Sequence, residues 1–363
     1  MMVTTRRTLV FFISTLLILC LCCLITWVTF LRTSIVTVDE GIKYTVPDNT
    51  SMRIVVNDLY ILNIIKHPWL FNLLIKMKGA EHQLKSGEYL FPKGTTTTSL
   101  LTQITTGTGL AYHIFTIIPG WDFVQLRHAL DHDENIKHTI TTLNDAAVMQ
   151  QLGHADVKPE GQFYPDSYFF IKGSTDIALL KRAYNLMQTK LTSAWKKRDT
   201  SVPFRSAYEA LTAASLVEKE AKVEQDRPLI AGVIVNRIHK NMLLQIDPTV
   251  IYGMGTRYHG VIHHKDLLAH NPYNTYVVKG LPPTPIAIPS MDSLNAAMHP
   301  KHHNYLYFVA RENGDGSHQF SATLAEHDIA VKEARAGKFP ATFFNAALVR
   351  FYFLNLVMPH ILH

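Results

Sequence analysis

The chain has 363 residues, 47% of them hydrophobic and 18% charged, with a formal net charge of +6 at pH 7. That balance excludes a disordered polymer and leaves room for one large folded domain or two ordinary ones. The cations are scattered singly and in pairs such as Lys181-Arg182, so no nucleic-acid partner is expected, whereas an anionic surface of phospholipid or acidic wall polymer would suit them.

Residues 1–8 carry Arg6 and Arg7 and precede an uncharged apolar run over 9–31. About 23 residues at 1.5 Å rise cover the roughly 30 Å hydrocarbon core of a bilayer. The run ends in Trp27, Phe30, Leu31 and Arg32 rather than in a small-residue cleavage site, so it reads as a retained transmembrane anchor and not a signal peptide. Two arginines against one place residues 1–8 in the cytoplasm and the rest outside. Cys20, Cys22 and Cys23 all lie inside the anchor, which leaves the remainder without disulfides or thiol chemistry.

Residues 32–43, rich in Ser, Thr and Val, read as a connector. Beyond it, Val55-Asn57-Leu59-Ile61 alternates weakly, as a strand does, and HPWLFNLLIKMKG has helical spacing up to Gly79. LKSGEYLFP reads as a strand, and SLLTQITTG as a helix with a Thr/Ser cap and a Gly stop. Together, residues 44–109 suggest a small α+β module.

From 110 to 338 a larger domain follows. AYHIFTIIP predicts a strand, WDFVQLRHAL a helix, and Asn144-Asp145 a helix cap. PEGQFYPDSYFF (159–170) reads as an irregular aromatic loop. Three helices come next: 175–198, with an apolar stripe from Ile177 to Trp195; 206–224; and 226–241, with Pro228 near its start. Thereafter loops are expected to replace helices, apart from a hairpin made of YLYFVA and HQFS turning at Asn313-Gly314-Asp315-Gly316. The apolar tail 339–363, interrupted by Arg350, Asn355 and Pro359, has no assigned role; an interfacial helix and a partner-binding segment are both open.

The 206–224 helix carries two carboxylates, Glu218 and Glu220, among small and apolar residues. Desolvation there raises a carboxyl pKa, as a general acid at neutral pH requires. Periodicity does not choose between the two, and a pair of salt-bridged helix glutamates fits the same pattern. The adjacent pairs His263-His264 and His302-His303 lack the i, i+4 spacing of a metal site, and no phosphate-binding or serine-nucleophile motif is present. No cofactor or metal is expected.

ASLVEKEAKVEQDR, AGVIVNRIHKNMLLQIDPTVIYGMG and NPYNTYVVKGLPPTPIAIPS resemble the endolytic murein transglycosylases, the YceG-like group, over about residues 40–335. The resemblance implies an α+β protein: a single N-terminal transmembrane helix, a LysM-like module at 44–109, and a mixed α/β catalytic domain at 110–338 whose helical part carries the catalytic glutamate. It implies cleavage of peptidoglycan glycan strands at the inner membrane, facing the periplasm, with 1,6-anhydro ends left on the product and nascent strands terminated. It also implies cell-wall synthases (penicillin-binding proteins) as partners. The acid/base maps onto Glu220. The glycan-binding positions map onto Gln245, Asp247, Thr249, Tyr252, Tyr273, Asn274, Thr275, Tyr276, His318 and Phe320. Some of these have plainer readings: Asp247 as a turn former before Pro248, Tyr252 as core, His318 as an exposed turn histidine. Glu160 and Asp166, in an element resembling the family's E-G-x-F-x-P-D-T-Y, read as loop-tying groups more readily than as a second acid. Two alternatives stand beside this reading: a noncatalytic peptidoglycan-binding scaffold, and a hydrolase pairing Glu220 with Asp247 or Glu218. The chain departs from the family pattern at Pro119-Gly120, where Glu-Gly is usual, and at Ile288-Pro289-Ser290, where Asn/Thr-Pro-Gly is usual.

Overall fold

The computed structural model describes residues 2–311 and 314–336, so the tail 339–363 and Asn313 of the hairpin turn lie outside the described residues. The chain forms two compact units: residues 1–114 with 135–137 and 169–174, and the remainder.

The first unit begins with α1 (Met2–Arg32), whose stretch Phe11–Arg32 is long and apolar enough to cross a membrane. β1 (Ile42–Val46), α2 (Met52–Ile61), α3 (Pro68–Lys78), β2 (Gly87–Phe91) and α4 (Thr97–Thr106) follow. β1 and β2 pair antiparallel, from Ile42 opposite Phe91 to Val46 opposite Gly87. Their core holds Val55, Leu59, Phe71, Leu74, Tyr89, Phe91, Leu100 and Ile104. At about 1.5–3 kcal/mol for each large apolar side chain buried, this cluster is the unit's main source of stability.

Two expectations fail here. The stretch around Val55–Ile61 is helix, not strand: Met52, Val55, Val56 and Leu59 are buried at i, i+3, i+4 and i+7, and the alternation was a by-product of that stripe. Nor is 32–43 a free connector. Val36 is fully buried, the Ile35 amide donates to Thr95 O (2.8 Å), Thr98 Oγ1 donates to Leu31 O (3.2 Å), and Trp27, Phe30 and Leu31 pack against the module's core.

The second unit is mainly helical. Its elements include α5 (Phe123–Asp131), which opens on an Asp122/Gln125 capping box, and α6 (Asp145–Gln151), capped by Asn144. Two strands, β3 (Tyr112–Thr116) and β4 (Ser167–Ile171), pair with each other. The second half of the supposed irregular loop 159–170 is therefore strand, beginning just after its last proline, Pro165. Then come α7 (Asp176–Lys196), α8 (Ala207–Glu220) and α9 (Arg227–His239).

Helices do not give way to loops after that. α10 (Asp247–Met254), α11 (His264–Leu267), α12 (Met291–Met298) and α13 (Leu324–Ala336) continue the domain, around a hairpin of β5 (Tyr307–Ala310) and β6 (His318–Ser321). In α10 Pro248 occupies the first turn, where its missing N–H costs nothing, so the proline that suggested a turn instead starts a helix. The alanines of α8 (Ala210, Ala213, Ala214) and α12 (Ala296, Ala297) are buried, and their small side chains let the two helices approach closely.

Candidate active site

α8 stops four residues short of the expected 224. Ala221 turns extended (φ −78°, ψ 113°), making Glu220 the last helical residue and taking Lys222 off the helix. That ending separates the two glutamates that periodicity could not rank. Glu218 is committed: its carboxylate accepts from Ser290 N (2.8 Å) and Ser290 Oγ (2.5 Å) and lies 3.5 Å from Arg227. It holds the N-cap of α12 against α8.

Glu220 has no hydrogen-bond partner among the described residues, and its pKa is pushed from the ordinary carboxyl range up to about 8. Burial of the carboxyl is the main cause; the negative charge of Asp247 adds to it, and Lys222 opposes it. The exposed carbonyls at a helix C-terminus act in the same direction, since they disfavour a second negative charge. The residue as a whole is only half-buried, so its carboxyl is desolvated yet reachable.

Asp247 and Tyr276 join it at this edge. Tyr276 Oη donates to Asp247 Oδ1 (2.5 Å), and its pKa is raised by burial, by Asp247 and by the charge of Glu220. Asp247 is exposed at the start of α10, with one of its oxygens engaged by Tyr276. Gln245, two residues earlier, is exposed and holds a left-handed backbone (φ +51°), uncommon for a residue with a Cβ. Its amide donates to Thr275 O (3.0 Å).

The remaining positions implied by the resemblance are inside the scaffold. Thr249 and Thr275 are buried, with their hydroxyls 2.9 Å apart, and Thr275 Oγ1 also accepts from Ile246 N (2.9 Å). Asn274 donates to the carbonyls of Asp266, Leu267 and Ala269 and accepts from Tyr276 N (2.9 Å). Tyr273 hydrogen-bonds Thr284 (3.0 Å) and packs on Tyr252, whose ring centroid lies 4.8 Å away. Tyr252 in turn donates to Glu160 Oε2 (3.0 Å). Glu160 is buried and also accepts from the amides of Phe123 and Gly161, which matches its reading as a loop tie; burial lifts its pKa to about 7.

His318 is not an exposed turn histidine. It is buried, with Nδ1 and its backbone N–H both on Asp226 Oδ2 (2.8 and 2.7 Å). Phe320 packs in the core beside Phe308.

Arg237 was missed. From α9 its guanidinium donates to Leu306 O (2.6 Å) and Leu244 O (2.7 Å), reaches Gln245 Oε1 (3.4 Å) and lies over the Tyr307 ring. It binds the segment carrying Gln245 to the hairpin. The available signal was an arginine in a helix, two positions after the apolar run Val233-Ile234-Val235. Tyr258 was missed as well; burial and the charge of Asp247 raise its pKa, which sets it near the same edge.

The two departures from the family pattern meet each other. Gly120 N donates to Ile288 O and Ile288 N to Trp121 O, both at 2.7 Å, while Ser290 supplies the hydroxyl that Glu218 accepts.

The sequence model of the YceG-like family matches residues 44–333. An endolytic murein transglycosylase of Bacillus subtilis is 33% identical over 319 residues, covering 82% of this chain and 86% of that protein. One from Streptococcus pneumoniae is 26% identical over 323 residues, covering 79% of this chain and 57% of that longer protein. A crystal structure of a YceG-like protein from Listeria monocytogenes covers 80% of the chain at 27% identity, with a TM-score of 0.48. With the family match spanning most of its length, and a relative one-third identical over four-fifths of it, this chain belongs to the YceG-like family.

Proposed function

We propose that the protein is a membrane-anchored endolytic murein transglycosylase with Glu220 as its single acid/base. The observation that carries the assignment of the acid is the contrast at the end of α8: the Glu218 carboxylate is held by Ser290 and Arg227, while the Glu220 carboxyl is desolvated, has no hydrogen-bond partner among the described residues and has its pKa pushed up to about 8.

In the proposed reaction the Glu220 proton passes to the oxygen linking N-acetylmuramic acid to N-acetylglucosamine. The bond from muramic C1 to that oxygen breaks, and positive charge develops at C1. The C6 hydroxyl oxygen of the same sugar attacks C1, and the Glu220 carboxylate takes the C6 proton. The product is a 1,6-anhydro ring, and the enzyme returns to its starting protonation state. Water takes no part, so the two-carboxylate spacing of ordinary glycosidases is not needed. Asp247, held by Tyr276, favours the protonated form of Glu220 before the transfer and faces the developing cation during it. Gln245 and Tyr276 supply the polar and aromatic surface that a sugar strand requires.

The same reading has α1 span the inner membrane once, with residues 1–8 in the cytoplasm and the catalytic unit on the periplasmic side. It assigns residues 44–109 to a LysM-like module, nascent strands as substrate and cell-wall synthases as partners.

The test uses the full chain in detergent, because Trp27, Phe30 and Leu31 pack against the module's core and truncation at residue 33 would remove them. Purified glycan strands are incubated with the parent and with Glu220→Gln, and their ends are identified by mass spectrometry. Anhydro ends from the parent alone support the reading. Reducing ends would assign a hydrolase. Binding without cleavage by both would assign a scaffold.

A further inference from the structure

α3 is apolar on two sides. Phe71, Leu74 and Ile75 enter the core, while Trp69, Leu73 and Met77 (66%, 43% and 66% exposed) form a second stripe at i, i+4 and i+8. Ile61 and Leu62, at the end of α2, are exposed as well. A helix apolar all round is expected where both sides are covered. Its flanks are cationic: Arg53, Lys66, Lys76 and Lys78 outnumber Asp58 and Glu81 over residues 52–82, and all four cations are exposed.

The chain itself indicates what covers the stripe. α1 has the length and composition of a membrane span, and its last turn is packed into this unit's core without slack. Thr98 binds Leu31 O, and Ile35 pairs with Thr95 immediately after the helix ends. The unit is thus held where α1 leaves the hydrocarbon. A tryptophan with aliphatic neighbours and snorkelling lysines is the composition that settles at the headgroup boundary.

We infer that the outer face of α3, with the end of α2, docks on an anionic lipid surface and fixes the orientation of the module at the bilayer. This rests on the anchor reading of α1. Lys76 and Lys78 would each add about 1 kcal/mol of attraction to anionic lipid, about fivefold in the docked-to-undocked ratio.

The test places the full chain in vesicles of phosphatidylcholine with or without phosphatidylglycerol. The three anchor cysteines, the chain's only ones, are replaced by alanine. An environment-sensitive fluorophore is then attached at Leu73→Cys or, as a control at an exposed position of α7, at Ser193→Cys. The expected result is a blue shift and quenching by brominated lipid at position 73 but not at 193. The effect should strengthen with phosphatidylglycerol and be lost in Trp69→Glu/Met77→Glu while that variant stays carbonate-resistant in the membrane. Lys76→Gln and Lys78→Gln should each lower the docked-to-undocked ratio about fivefold.

A carbonate-resistant chain whose probe at 73 remains in water overturns the docking and leaves the anchor standing. A chain stripped by carbonate, yet quenched at 73 beforehand, supports docking and removes the anchor. A chain that neither floats with vesicles nor is quenched overturns both. Protection that tracks protein concentration rather than lipid charge assigns the face to a second copy and overturns the lipid assignment.

Discussion

Two neighbouring regions of the catalytic unit are built from the same kinds of residue and do opposite things. In the cluster of Thr249, Asn274 and Thr275 every polar group has a protein partner, and all three residues are buried. At the edge formed by Glu220, Asp247, Tyr276 and Gln245, a carboxyl has no hydrogen-bond partner among the described residues, a backbone is in the left-handed region and a second carboxylate lies near the first. The first region spends its hydrogen-bonding capacity on holding shape. The second leaves the Glu220 carboxyl outside such bonds, and that carboxyl is the group the proposed reaction would use.

The sharpest way to break this comparison is Glu220→Gln, which should lower turnover about 10²–10⁴-fold, the usual worth of a general acid/base. Parent activity should fall as pH rises through about 8, where Glu220 loses the proton it must donate, while the variant's residual activity shows no such step. Stability follows the same group. Between its ordinary 4.5 and about 8, the folded chain keeps a proton that the unfolded chain releases, so folding weakens as pH rises across that window. Thermal melts at about pH 9 should therefore show Glu220→Gln more stable than the parent, and melts at about pH 4 should show the two alike. A variant as pH-sensitive as the parent would move the acid elsewhere.

Asn274→Ala is the next largest. It strips the donor from three carbonyls and should cost about 3 kcal/mol in urea unfolding. Glu218→Gln should cost about 2 kcal/mol by weakening the Ser290 and Arg227 contacts, with activity per folded molecule retained. If it instead abolished turnover in a folded protein, the division between the two glutamates would be wrong. Gln245→Gly is the smallest in stability, within about 0.5 kcal/mol, because relief of the left-handed strain offsets the entropy glycine adds to the unfolded chain. Its effect belongs in KM, measured on strands of defined length, since the exposed side chain is one of the proposed sugar-binding groups and its Oε1 is held only at 3.4 Å by Arg237.

Much of the first unit was legible locally. Gly79 and Gly107 end α3 and α4 in left-handed caps, and Thr96 caps α4 through Ser99 N, as the residue types imply. Two elements were not. The Val55–Ile61 helix mimicked a strand because buried positions three and four apart, read over one short stretch, also look alternate. α10 was hidden because Asp-Pro is both a turn opener and a helix starter, and local sequence does not distinguish them.

The candidate site divides in the same way. Residue types and spacing alone placed an apolar helix ahead of a cysteine-free domain, and put two glutamates on one helix bordering apolar surface. These follow from length, hydropathy and helical period, which are properties of a single segment. Which glutamate is held by Ser290, that Thr249, Asn274 and Thr275 are spent on the scaffold, that His318 is bound to Asp226 and that Arg237 holds the Gln245 segment were decided only by tertiary structure. Each depends on a partner distant in sequence, such as Ser290 for Glu218, 72 residues on. A carboxyl's protonation is set by who has already claimed its oxygens and by how far it is desolvated, and neither is encoded in the segment that carries it.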